Sequence, residues 1–160
     1  MIVARYFSMT AKKTTLRIPD PFELFLPEPS SVKELPFFVP SISAGFPSPA
    51  EDFIDKKLDL NEYLIHNQPA TFLVRVQGSS MENAGIRDGD ILVVDRSLEP
   101  SDGKIVIGVI DGEFTVKRIV KKSGKFFLQP ENETFRPIEI TPDMDFKIWG
   151  IVTFAIHKLQ

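Results

Sequence analysis

A serine and a lysine stand 37 positions apart: Ser80 in Gln77-Gly78-Ser79-Ser80-Met81, and Lys117 in Glu113-Phe114-Thr115-Val116-Lys117-Arg118. A serine hydroxyl is a weak nucleophile at neutral pH and needs a base within hydrogen-bond reach. A lysine serves as that base only when neutral, and burial among apolar groups lowers its pKa far enough for this. Serine with lysine is a known variant of triad chemistry. Taken alone, each residue also has an ordinary explanation. Gly78-Ser79-Ser80 reads equally as a polar loop after a strand, and Lys117 as a solvated strand residue.

The elements that must position the pair are short strands. Residues 72–76, 91–94 and 104–110 are β-branched runs bounded by Gly, Asp and Pro, and residues 125–129 and 145–157 supply further strands. Asp111-Gly112 between two such runs is a hairpin signal. In the strand that follows, Thr115, Lys117 and Ile119 share one face, while Phe114, Val116 and Arg118 share the other. Ile119 makes the lysine face partly apolar, Thr115 can hydrogen-bond the amine, and Arg118 reads as a surface charge. Upstream, Ser48-Pro49-Ala50-Glu51 carries the signature of a helix start, which predicts a short helix through about Leu58. A second short helix is expected to begin in Asp59-Leu60-Asn61-Glu62. Eight of the 13 prolines lie in residues 1–49, which excludes a regular helix or a central strand there. Phe22, Phe25, Leu26, Phe37, Phe38 and Val39 interleave them, so an extended arm docked on the body is expected. The fold class is a small, mainly β domain with one or two short N-terminal helices, preceded by that Pro-rich arm.

Four blocks carry a resemblance: Gly45-Phe46-Pro47-Ser48-Pro49-Ala50, Val76-Gln77-Gly78-Ser79-Ser80-Met81, Gly85-Ile86-Arg87-Asp88-Gly89-Asp90, and Asp111-Gly112-Glu113-Phe114-Thr115-Val116-Lys117. In order and spacing they resemble the UmuD-like members of the LexA/UmuD family of self-cleaving serine peptidases, from about Ala44 to the C-terminus. The resemblance implies Ser80 as nucleophile and Lys117 as general base. Backbone N–H groups of Ser79 and Ser80 would form the oxyanion hole, with Gly78 and Thr115 in support. It implies a scissile bond between Ala44 and Gly45, so residues 1–44 form an arm removed by self-cleavage and residues 45–160 a peptidase and dimerisation domain. It also implies the DNA-damage (SOS) response, with cleavage stimulated by a RecA–single-stranded-DNA filament. The trimmed homodimer would then serve a Y-family, UmuC-like polymerase as accessory subunit in error-prone translesion synthesis. Two alternatives stand beside this: a non-catalytic dimerisation module, and a peptidase domain related to LexA-type repressors without a DNA-binding domain.

Composition narrows the rest. By count, residues 1–44 hold five Lys/Arg against four Asp/Glu, and residues 45–160 hold 14 against 18. An acidic body argues against direct binding of duplex DNA, which needs a basic face. There are no cysteines, and His66 and His157 have neither ligand spacing nor a recognisable acid–base context. No metal and no cofactor are expected. No apolar run approaches the ~20 residues of a membrane span, and residues 1–6 lack a signal-peptide pattern. A cytoplasmic protein without a membrane partner is the expectation.

Overall fold

The computed structural model of the chain describes residues 24–25, 34–38 and 54–159. In chain order its strands are β1 (Leu24–Phe25), β2 (Glu34–Phe38), β3 (Ile54–Asp59), β4 (Thr71–Arg75), β5 (Ile91–Asp95), β6 (Ile105–Ile110), β7 (Glu113–Lys122), β8 (Lys125–Gln129), β9 (Ile138–Glu139) and β10 (Phe146–Ile156). Among the described residues one α-helix, α1 (Leu60–Leu64), and two 3-10 turns, Gln68–Ala70 and Glu82–Ala84, accompany them. The protein is mainly β. Its strands fall into two units, one holding β1 and the chain from residue 67 onward, the other holding β2, β3 and α1.

The larger unit is one sheet in the order β1-β4-β5-β10-β6-β7-β8-β9, with every neighbouring pair antiparallel. Period-2 alternation sorts its side chains into two cores. Phe72, Val74, Leu92, Val94, Ile107 and Val116 pack with Met81 and Ile86 in the first, while Val106, Ile119, Leu128, Phe146 and Ile151 form the second. The centre of β5, from Leu92 to Val94, is fully buried on both faces, which is why it reads as a continuous apolar run. Each such side chain contributes about 1.5–3 kcal/mol by leaving water.

The hairpin between β6 and β7 closes over Asp111-Gly112, with Ile110 opposite Glu113. Both turn residues have positive φ, 50° and 87°. A two-residue turn of that hand matches the twist of the flanking strands and calls for glycine or a tolerant Asp. It fixes the register of β7 against β6, so that Lys117 stands opposite Val106. On the far edge of the sheet β1 pairs with β4, Leu24 opposite Val74.

The smaller unit corrects one expectation. Residues 54–58, predicted to continue a helix from Ser48, instead form β3, antiparallel to β2 with Leu35 opposite Leu58 and Glu34 opposite Asp59. The helix-start signal is local, whereas the ladder partner lies some twenty residues upstream and is invisible to a local pattern. Ser48 itself and residues through 53 lie outside the described residues. Pro36 stands opposite Lys57 in this ribbon, and a strand with a free edge is the kind of strand that tolerates proline. The second expected helix is present as α1, whose N-cap Asp59 accepts from Asn61 N at 2.8 Å.

Candidate active site

Ser80 lies in the loop that leaves β4 and enters the 3-10 turn Glu82–Ala84. Val76 N donates to Asp90 O at 2.8 Å and Gly89 N to Val76 O at 2.9 Å, stitching the start of the loop to the turn at residues 87–90. Gly78 donates its N–H to Asp88 Oδ1 at 2.6 Å and takes φ +94°, a conformation that any side chain would strain. Nothing lies within 4 Å of where its Cβ would be, so backbone geometry, not crowding, calls for glycine. Beyond Ser80, Met81 is buried in the first core. The serine is thus held between a hydrogen-bonded glycine and a packed methionine.

Lys117 approaches from β7. It is 8% exposed, on the strand face that carries Ile119 into the second core. Its Nζ lies 3.0 Å from Ser80 Oγ, 2.9 Å from Thr115 Oγ1 and 2.9 Å from Val116 O. All three partners are neutral, and among the described residues no carboxylate pairs with this amine. Burial therefore acts unopposed and pushes the Lys117 pKa below its ordinary value. Three contacts also suit a neutral amine. A neutral amine would have two N–H bonds for Thr115 Oγ1 and the Val116 carbonyl, and a lone pair for the Ser80 hydroxyl proton.

Of the residues singled out from sequence, the structure brings together Ser80, Lys117 and Thr115, with Ser79 and Gly78 in the same loop. Ala44 and Gly45 lie outside the described residues. Two expectations are corrected. Arg118 is not a free surface charge, since its Nε lies 2.5 Å from Glu131 Oε1 and its Nη1 donates to Gly103 O at 2.7 Å. His157 does have an acid–base context: its Nδ1 lies 2.6 Å from Oδ1 of buried Asp90, and its Nε2 3.1 Å from Arg87 Nη1. That context is separate from the serine, whose Oγ meets Lys117.

The loop after β8 escaped the sequence reading. Glu131 N donates to Ser80 O at 2.8 Å, Asn83 N donates to Glu131 O at 2.8 Å, and Asn132 Nδ2 donates to Ser79 O at 2.9 Å. Asn132 followed two residues later by Thr134 is a local turn signal. Its target, 53 residues upstream, is not a local matter. Among the described residues no group of three or more His, Cys, Asp or Glu could hold a metal ion, and no helix is long and apolar enough to cross a membrane.

Comparison with known proteins follows the same ground. The family model described as Peptidase S24-like matches residues 36–153. Protein MucA of Escherichia coli is 47% identical over 128 residues, 79% of this chain and 87% of that protein. Protein ImpA of Shigella flexneri is 45% identical over 125 residues, 78% of this chain and 85% of that protein. The LexA repressor of Aeromonas hydrophila subsp. hydrophila is 40% identical over 113 residues, which are 71% of this chain and 54% of the repressor.

Proposed function

The chain belongs to the Peptidase S24-like family, and on that footing we propose that it is a serine peptidase that cuts itself between Ala44 and Gly45. The single observation that carries this reading is the 3.0 Å contact between Ser80 Oγ and the Nζ of a buried lysine that has no counter-charge among the described residues. Neutral Lys117 takes the hydroxyl proton as Ser80 Oγ attacks the carbonyl carbon of Ala44. The oxyanion is held by the backbone N–H groups of Ser79 and Ser80. Lys117 returns the proton to the nitrogen of Gly45, the C–N bond breaks, and an ester remains on Ser80. Water, deprotonated by Lys117, attacks that ester and restores the serine. Thr115 holds the amine in place throughout. A substrate on the same chain is present at high effective concentration, so a modest base suffices.

The proposed cut has a topological consequence. Ala44 and Gly45 lie between β2 and β3 in sequence, so cleavage would leave those strands on different fragments. A two-stranded ribbon is marginal by itself, and severing its connection removes the local concentration that holds it together. Residues 1–44 would also carry away β1, uncovering the edge of β4. An opened strand edge is a surface on which a partner can dock.

The relatives extend the reading to biology. Through its similarity to MucA, ImpA and LexA, we place the protein in the SOS response to DNA damage, in the cytoplasm. Its cleavage would be stimulated by a RecA–single-stranded-DNA filament, and the trimmed residues 45–160 would act as a homodimer with a UmuC-like, Y-family polymerase in translesion synthesis. Incubating the pure full-length protein at alkaline pH, with mass spectrometry of the products, tests the chemistry. A fragment beginning at Gly45 is expected from the parent protein and none from Ser80→Ala. Absence of that fragment from the parent would leave a non-catalytic dimerisation module as the better description.

A further inference from the structure

We propose that Asn132, seated by Thr134, is a positioning residue that aims the Ser80 backbone N–H at the oxyanion formed during cleavage; the proposal rests on the self-cleavage reading above. It begins with the carbonyls of the nucleophile loop, three of which in succession are occupied. Ser79 O accepts from Asn132 Nδ2 at 2.9 Å and from Glu82 N at 3.3 Å, Ser80 O accepts from Glu131 N at 2.8 Å, and Met81 O accepts from Ala84 N at 3.0 Å and Ile86 N at 3.2 Å. A trans peptide is planar, with its C=O and N–H pointing in opposite directions. Fixing the Ser79 carbonyl on the loop at residues 131–134 therefore turns the Ser80 N–H to the opposite side. Fixing the Ser80 carbonyl on Glu131 does the same for the Met81 N–H. Neither N–H donates to another described residue.

The orientation of the Asn132 amide is itself determined. Its Oδ1 accepts from Thr134 N at 3.0 Å and from Thr134 Oγ1 at 2.8 Å. A backbone N–H can only donate, so the oxygen must face Thr134 and the NH2 group must face Ser79. Arg118 steadies the same loop from the strand that bears Lys117, through Glu131. Neighbouring residues of β7 thus address the nucleophile twice, Lys117 at its side chain and Arg118 through the loop that grips its backbone. A donor that is already oriented costs nothing to reorganise when the oxyanion forms, and this accounts for much of an oxyanion hole's effect.

The test follows self-cleavage of the full-length protein across pH for the parent, Asn132→Ala and Thr134→Val, with thermal melting of each. Asn132→Ala is expected to lower the plateau rate roughly 10- to 100-fold, short of the effect of deleting an oxyanion donor outright. The midpoint of the pH profile should stay where it is, and the melting temperature should fall no further than the loss of a hydrogen bond explains. Thr134→Val should lower the rate in the same direction by a smaller factor. A plateau within twofold of the parent overturns the proposal. So does a shifted midpoint, which would mean action on Lys117, or a loss matched by a melting temperature lowered beyond that, which would mean mere loosening of the fold. Should Asn132→Ala not fold, Thr134→Val decides by the same criteria. A parent protein that does not cleave, or a Ser80→Ala variant that does, removes the self-cleavage reading instead.

Discussion

Lys117 and His157 each hold a nitrogen against buried or half-buried partners, but the partners differ in charge. The amine of Lys117 meets a serine hydroxyl, a threonine hydroxyl and a carbonyl. The ring of His157 meets the carboxylate of Asp90, which is 2% exposed and also accepts from Arg87 N at 2.8 Å. An unpaired charge in an apolar setting is costly, so Lys117 is driven toward its neutral form, the form a base needs. A buried carboxylate instead fastens what it touches. Asp90 ties the segment after β10 to the turn at residues 87–90, and that turn holds Gly78 through Asp88. The neutral pocket suits the base proposed at Lys117, and the contact with Asp90 makes a clasp.

Lys117→Met should separate the two roles most widely. Cleavage is expected to fall by about 10²- to 10⁴-fold, the usual worth of a general base. Folding stability should at the same time be unchanged or rise by up to about 2 kcal/mol, because an uncompensated buried amine is gone. The sign follows from proton binding. With its folded pKa lowered, Lys117 binds fewer protons in the native state than in the unfolded one between the two pKa values, so parent stability rises with pH through that window. Below it the native state carries the full penalty. Denaturant titrations at neutral and alkaline pH should show the gain of Lys117→Met shrinking as pH rises. Cleavage by the parent should climb over the same range and then level off. A gain that does not depend on pH would break the contrast.

His157→Gln probes the clasp. A loss of about 1 kcal/mol is expected from the weakened hydrogen bond to Asp90, read as a lower melting temperature, with the midpoint of the cleavage pH profile unmoved. A shifted midpoint would make His157 a participant in the chemistry. Thr115→Val is the smallest change. It removes one acceptor from the Lys117 amine, and a roughly fivefold to tenfold slower plateau corresponds to about 1 kcal/mol. Cleavage at the parent rate would show that Val116 O and Ser80 are enough to hold the amine.

Much of the larger unit was legible in its residues. Asp111-Gly112 announced the hairpin that puts Lys117 in register, and residues 125–129 were read with the bounds that β8 has. Ile119 on the lysine face marked that face as partly dry. What failed did so where a distant partner overrode a local signal. The serine, proline and glutamate at 48–51 predicted a helix through residues that pair as β3 with Glu34–Phe38. Arg118 looked like a solvent charge because Glu131 lies 13 positions away, and no pattern within β7 reveals it. The family match begins inside β2, ahead of Ala44, so the resemblance reaches further upstream than the four blocks suggested.

By itself the sequence determined which groups were available: a serine in a glycine-bearing loop, a lysine at an alternating strand position, no thiol, and turn residues whose backbone preferences set hairpin register. Those are properties of single residues and their near neighbours, and short-range sterics and period-2 alternation suffice to read them. Only the tertiary structure decided that Nζ reaches Oγ, that the buried amine has no counter-charge among the described residues, and that the loop after β8 grips the carbonyls of Ser79 and Ser80. Each of these depends on residues tens of positions apart meeting across a sheet, where distance and desolvation set the energy and position along the chain does not.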